Sequence, residues 1–411
     1  MPELIREARA LTSEQRRAFF AAFFGWMLDG FDYTILTFVI VDIQRSFTID
    51  NTLAGALGTV TLMFRLIGGA AAGTMADRWG RKLPLILSIL WFSIFTLLSG
   101  FSTSYGMLFA CRALFGIGMG GEWAAGMPLA LEHLPDRLRG IAAGMLQGAF
   151  TWGFIASACV FQFVYPLLRT RPDVAWRAMF WLGAAPALLV LWIRARVAES
   201  PVWLQRHRAD APQTRGVSLA RIFRRDLLGT TIHCSIVAAG FMVSYQSVNY
   251  WYATFLRDRQ LNTLPYILAL SVGGIGGSAF WGWISQGRLG RRGSITIAAV
   301  IGIAFAPLYV MSHDARVLMA GALLVGFGAN GMWGAFPSYL SERFPSVVRG
   351  AGAGFCYHAG SLAGSVAPPL IGYMRDSGMA LPTAMTLAIA VSGLAIAIVI
   401  WLGPETRGRS L

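Results

Sequence analysis

Gly73-Thr-Met-Ala-Asp77-Arg78-Trp-Gly80-Arg81-Lys82 is a short charged turn between two apolar runs, each long enough to cross a bilayer. About 210 positions later it returns in altered form as Trp283-Ile-Ser-Gln-Gly287-Arg288-Leu-Gly290-Arg291-Arg292. At the same offset, Glu132-His-Leu-Pro135-Asp-Arg-Leu-Arg139-Gly140 recurs as Glu342-Arg-Phe-Pro345-Ser-Val-Val-Arg349-Gly350. Two independent motifs at one spacing describe a duplicated unit. Its length of roughly 200 residues is too long for a solenoid repeat and suits a bundle of six membrane helices.

The composition agrees. Hydrophobic residues make up 55% of the 411-residue chain, charged residues 13%, and the mean hydropathy is +0.57. A soluble domain carries about 25% charged residues, so most of this chain faces something other than water. Apolar runs at about 18–41, 53–75, 83–101, 105–131, 140–167, 176–195, 227–256, 263–285, 294–311, 315–340, 350–373 and 381–402 read as twelve crossings. Roughly 24 of the 34 Lys and Arg fall in loops on one side and about 8 on the other, the positive-inside bias of a plasma (inner) membrane protein with both termini cytoplasmic. That distribution, rather than one basic face, excludes a nucleic-acid partner for the +14 charge. No early cleavable signal is visible in residues 1–17.

The domain reading is a bundle over 1–195, a polar arginine-rich linker over 196–226 and a second bundle over 227–411. No loop is large enough to hold a soluble domain. Cys111, Cys159, Cys234 and Cys356 lie in apolar runs without CxxC spacing and read as inert thiols, not metal ligands.

Charges inside the apolar runs are the candidate functional groups. Asp29 lies about 11 residues, hence about 16 Å, into the first span, and Asp32 shares its face three residues on. Acids at that depth must be paired, hydrated or protonated, so they are functional candidates by default, although structural pairing with an arginine stays open. Arg65 sits at mid-depth in the second span and cannot neutralise itself by losing a proton; it needs a carboxylate partner or an anionic ligand. The fourth span carries Arg112 and Glu122 around Gly116-Ile-Gly118-Met-Gly120-Gly121. Those glycines satisfy the dinucleotide pattern G-x-G-x-x-G, but inside an apolar span they read as close helix packing. The repeat replaces Arg112 by Ala322 and Glu122 by Met332 while keeping Gly326, Gly328 and Trp333, so shape is duplicated and charge is not. Proton chemistry is therefore expected in the first half, from Asp29, Asp32 and Glu122, and more of the polar substrate contacts in the second.

In the seventh span Gln246 and Asn249 share a face followed by Tyr250, Trp251 and Tyr252, either a wet cavity lining or part of an interfacial aromatic belt. Tyr357 and His358 lie in the eleventh span, where His358 reads as a relay or as a hydrogen-bonded packing residue; His233 is a weaker candidate of the same kind. Pro368-Pro369 is expected to break that span.

Gly-x-x-x-Asp-Arg-x-Gly-Arg-Lys over Gly73–Lys82 resembles the signature of the major facilitator superfamily, and the resemblance covers the whole chain. Further marks are Arg112-x-x-x-Gly116, Glu199-Ser200-Pro201-x-Trp203-Leu204 and Pro404-Glu405-Thr406-Arg407-Gly408. The resemblance implies an all-α membrane protein of twelve transmembrane helices in two pseudo-symmetric six-helix bundles that rock around a central site. It also implies gating by Gly73, Asp77, Arg78, Gly80 and Arg81, with Asp77 as a cytoplasmic latch. The second copy has Gly287 where the acid would stand, so the latch is expected on one side only.

Gly25-Trp-Met-Leu-Asp29-Gly-Phe-Asp32, Phe64-Arg65, Arg112 through Trp123 and Pro201-Val-Trp-Leu are similar to the sialate/lactate:proton symporter branch. Lactate-type carriers place a His and an Asp in the seventh span, where this chain has Tyr245, Gln246, Asn249 and Tyr250, which widens the expected substrate to an organic anion. The expectation is proton-coupled symport of a small organic carboxylate, such as a monocarboxylate or sialic acid, by a monomer without cofactors. The expected substrate contacts are Arg65, Arg112, Gln246, Asn249, Tyr250 and Tyr357. The alternatives are a metabolite or drug efflux antiporter of the same fold and a membrane carboxylate sensor. An ATP-driven pump is excluded on this chain by the lack of a P-loop, and no nucleophile–base pair points to an enzyme.

Overall fold

The structure is a computed structural model and describes residues 9–168, 171–208, 219–345 and 348–407, with the side chains of Asp77 and a few other residues outside the described set. Among the described residues every regular element is helical. Two compact units form, one from Met1–Asp42 with Val60–Gly216 and the other from Ile43–Thr59 with Val217–Leu411.

The first unit holds most of α1 (Ser13–Phe47) and α2 (Asn51–Trp79), then α3 (Lys82–Gly100), α4 (Tyr105–His133), α5 (Asp136–Phe163), α6 (Pro172–Leu182), α7 (Pro186–Arg196) and α8 (Pro201–Arg208). Its core gathers Leu62, Leu85, Ile89, Phe92, Phe115, Met119 and Ile193. The α2–α4 crossing explains the glycines of the fourth span. A Cβ on Gly68 would run into the Ile117 carbonyl, on Gly116 into that of Thr61, and on Gly120 into that of Arg65. Backbone meets backbone here, so no side chain can rotate away, and the nucleotide pattern is confirmed as packing. Gly120→Ala is expected to cost about 1–3 kcal/mol, the usual penalty of overpacking, and to lower the thermal unfolding midpoint of the purified protein. An unchanged midpoint would mean that the crossing gives way freely.

The second unit contains α9 (Arg225–Asn249), α10 (Tyr252–Asp258), α11 (Thr263–Ile284), α12 (Gly290–Val310), α13 (Ala315–Val325), α14 (Phe336–Glu342), α15 (Arg349–Gly364), α16 (Ala367–Asp376) and α17 (Leu381–Val399). Phe241, Trp281, Phe336, Tyr339 and Ile396 anchor its core. It also includes the hairpin Ile43–Thr59. Asp376, at the end of α16, accepts hydrogen bonds from the backbone N–H groups of Asn51 (3.2 Å) and Thr52 (2.9 Å) and from both their side chains. Burial works to raise the Asp376 carboxyl, yet the bonds from Asn51 and Thr52 outweigh it and hold the group below its ordinary value. Nearby, the Tyr250 hydroxyl donates to the Ala54 carbonyl at 2.8 Å.

Among the described residues, ten helices or helix runs are long and apolar enough to cross a membrane. The two other expected spans are present as helix. The fourth is α4, whose Arg112, Glu122 and glycines dilute its apolarity, and the eleventh is divided into α15 and α16. The division falls just before Pro368-Pro369, which lie in the first turn of α16, where missing N–H groups cost nothing. The tenth span is interrupted as well: α13 passes into a π turn at Gly326–Asn330 and a 3-10 turn at Gly331–Gly334 before α14.

Candidate functional site

The first unit brings five of the expected charges together and buries them. Asp29, Asp32 and Arg112 are fully buried, Glu122 is 1% exposed and Arg65 3%. Asp29 lies within electrostatic reach of Arg65 and Arg112, Asp32 of Arg112 and Asp29, and Glu122 of Asp29 and Arg65. Aromatic faces support both cations: the Arg65 guanidinium is 4.9 Å from the Trp26 ring, and that of Arg112 is 3.8 Å from Phe115.

The acids are held differently. Asp32 accepts from Thr96 Oγ1 at 3.2 Å and fits only because Gly183 is bare, since a Cβ there would come within 2.6 Å of its oxygen. Glu122 lies against Gly25, where an added Cβ would be 2.6 Å from its carboxylate, and lines a pocket with Trp26, Trp123, Met127 and Leu146. Neither oxygen of Asp29 accepts a hydrogen bond from a described residue. Three carboxylates face two guanidiniums, so the cluster is neutral when one acid carries a proton.

In the second unit, Gln246, Asn249 and Tyr357 are buried on α9 and α15. Asn249 Nδ2 donates to the Tyr245 carbonyl (2.8 Å) and to Asn330 Oδ1 (3.2 Å). Tyr250 is fully buried with its hydroxyl held by Ala54, so it packs the hairpin 43–59 onto this unit. His358 is buried beside Tyr357, and His233 Nε2 meets the Val399 carbonyl at 3.0 Å.

The turn motifs resolve into one device built twice, once in each unit. Gly80 (φ +91°) starts α3, and Glu199 accepts from the N–H groups of Arg81 (2.7 Å) and Lys82 (3.1 Å). Gly290 (φ +68°) starts α12, and Glu405 accepts from those of Arg291 (2.9 Å) and Arg292 (3.1 Å). A positive φ is open to glycine at no steric cost, and a carboxylate at a helix start satisfies N–H groups that have no partner within the helix. Burial works to raise Glu405, but four backbone N–H bonds hold it below its ordinary value.

Beside each cap stands an ion pair, Arg81–Glu132 and Arg291–Glu342, and each glutamate also accepts from a hydroxyl, Ser200 or Thr406. Of the expected gating residues, Gly80 and Arg81 belong to this device, Arg78 is exposed, and a Cβ on Gly73 would meet nothing within 4 Å. The side chain of Asp77 lies outside the described residues. Glu199 and Glu405 stood in the sequence as marks of a family without a role. Their own repeat, Glu-Ser against Glu-Thr, was the available signal.

Residues 22–368 match the model of the Major Facilitator Superfamily, and the chain belongs to that family. It is a membrane-spanning, multi-pass transporter rather than an enzyme. The chain is 33% identical over 407 residues to a protein of Cupriavidus pinatubonensis described as "Probable 4-methylmuconolactone transporter", covering 98% of this chain and 94% of that one. It is 30% identical over 394 residues to the sialic acid transporter NanX of Escherichia coli, covering 94% and 93%. A crystal structure of a D-xylose-proton symporter superposes with a TM-score of 0.79 at 22% identity, covering 97% of this chain and 100% of that one, and shares the fold.

Proposed function

We propose that this chain is a proton-coupled symporter of a small organic carboxylate in the inner membrane, working as a monomer with both termini cytoplasmic. The observation that carries the reading is the buried cluster of Asp29, Asp32 and Glu122 with Arg65 and Arg112. Guanidinium groups keep their charge, so the carboxylates alone can switch. A proton on one acid balances the cluster, and its departure leaves a bare buried charge that disfavours the same closed arrangement. Asp29 is the first candidate for that proton, because neither of its oxygens is committed to a described donor. An organic anion then meets Arg65 or Arg112, with Gln246, Asn249 and Tyr357 as the further contacts expected from the sequence. Relatives named for sialic acid and for a muconolactone agree with an organic-acid substrate.

Proteoliposomes tilted acid outside are expected to accumulate a carboxylate drawn from a panel of monocarboxylates, sialate and aromatic acids, and a protonophore is expected to abolish the accumulation. Uptake indifferent to the proton gradient would remove the coupling from the reading.

A further inference from the structure

The interrupted tenth span holds side chains to which the sequence reading assigned no role. The repeat places Asn330 at the position of Gly120, and the two sites have diverged. In the first unit Gly120 lies against the Arg65 backbone and has no room for a side chain. In the second, the chain widens into the π turn Gly326–Asn330 and carries an amide there. Such turns inside helices are rare and gather at functional sites. The Asn330 amide exchanges hydrogen bonds with Asn249, at 3.2 Å one way and 3.4 Å the other, and the longer one is near the limit of a useful bond.

One turn further on, Trp333 is half-buried, and its Nε1–H has no acceptor among the described residues. The neighbouring indoles of this unit differ: Trp251 donates to the Pro368 carbonyl at 2.9 Å and Trp281 to that of Phe327 at 2.8 Å. A buried donor without an acceptor is costly, and water or a bound molecule can supply the acceptor. Around it stand Tyr245 and Tyr357, each with its ring centre 6.2 Å from that of Trp333 and close to perpendicular to it.

The occupant this arrangement suits brings an acceptor for the indole N–H, a second polar atom for the Asn249–Asn330 amides, and a flat body between them. Aromatic rings reward a planar π-system edge-on or offset, and reward a puckered saturated ring less. We infer that Trp333 and Asn330 are specificity-determining residues for a planar, conjugated carboxylic acid with a second polar substituent. Trp333 Nε1–H donates to the carboxylate and Asn330 holds the far substituent. This inference rests on the organic-acid reading above and narrows its substrate class.

The test compares 4-hydroxybenzoate with 4-hydroxycyclohexanecarboxylate, which share their polar groups and differ in planarity, by direct binding to the purified protein and by proton-driven uptake. The planar acid is expected to bind about tenfold more tightly, the factor that a preference of about 1.4 kcal/mol produces. Trp333→Phe keeps a ring and removes the N–H, and is expected to weaken binding of the planar acid about tenfold, as the loss of a hydrogen bond to a charged group does. Trp333→Leu should bring the planar-to-puckered ratio close to one. Asn330→Ala should erase any advantage of 4-hydroxybenzoate over benzoate. Equal binding of the two acids by the native protein, or a ratio untouched in Trp333→Leu, overturns the inference and leaves carboxylate transport standing. Binding and uptake of no carboxylate at all bring down both.

Discussion

Proteoliposomes containing Asp29→Asn are expected to exchange substrate across the membrane but not to concentrate it. Asparagine keeps the shape of a protonated aspartic acid and cannot release the proton. In the native cluster, three acids against two guanidiniums leave one negative charge until a proton arrives. In the variant, two acids face the same two guanidiniums, and the cluster is balanced with no proton bound. The conformational change then no longer waits for a proton on Asp29, and the gradient no longer does work on the substrate. The magnitude follows from the charge count. One proton moving down one pH unit releases about 1.4 kcal/mol, which supports about tenfold accumulation, so the variant falls from that level to about one. Counterflow of labelled substrate separates this outcome from simple inactivation, because exchange persists where coupling alone is lost. Asp32→Asn is expected to weaken coupling as well, though Asp32 is already bonded to Thr96. Full accumulation by both variants would place the proton elsewhere, with Glu122 in its pocket beside Trp26 and Trp123 as the remaining acid of the cluster.

The cluster was legible because depth is countable: 1.5 Å per residue puts Asp29 and Arg65 in the middle of apolar runs, and charges are conspicuous there. The glycines of the fourth span were legible for the same reason, since G-x-G-x-x-G cannot serve a nucleotide inside a membrane helix. Asn330 was not. Hydrophobic periodicity sees an apolar run, and the change from α to π geometry leaves no mark in composition. The pairing of Glu199 with the start of α3 was hidden too. It joins a side chain to backbone N–H groups more than a hundred residues away, while periodicity reports only which face of a helix is apolar. Nor could the linker disclose that Ile43–Thr59 packs with the second unit, because that depends on contacts such as Asp376 with Thr52. Tyr250 shows the limit of reading aromatics by position: belt, cavity lining and helix packing share one residue type, and the Ala54 carbonyl decides among them.

The duplicated device predicts unequal costs in its two copies. Arg291→Ala is expected to destabilise the protein by about 3–5 kcal/mol, the usual cost of breaking a buried pair from one side. Arg291 holds Glu342 through two bonds, Nη2 to Oε1 at 2.8 Å and Nε to Oε2 at 3.3 Å, and the Glu342 side chain is 5% exposed. Removing the arginine leaves that carboxylate in a dry place with, among the described residues, only Thr406 to bond it. Arg81→Ala is expected to cost nearer about 1 kcal/mol. On the Glu132 side the described contact is 3.4 Å long and the Glu132 side chain is 21% exposed, so water can take the place of the guanidinium beside that carboxylate. Thermal unfolding of the two variants in the same detergent checks the order. Arg291→Ala with Glu342→Gln is expected to recover part of the loss, because the stranded charge is then gone, whereas the matching double variant at Arg81 and Glu132 gains little. Equal shifts from the two single variants, or no recovery in the Arg291 double variant, would show that burial of Glu342 does not set the cost.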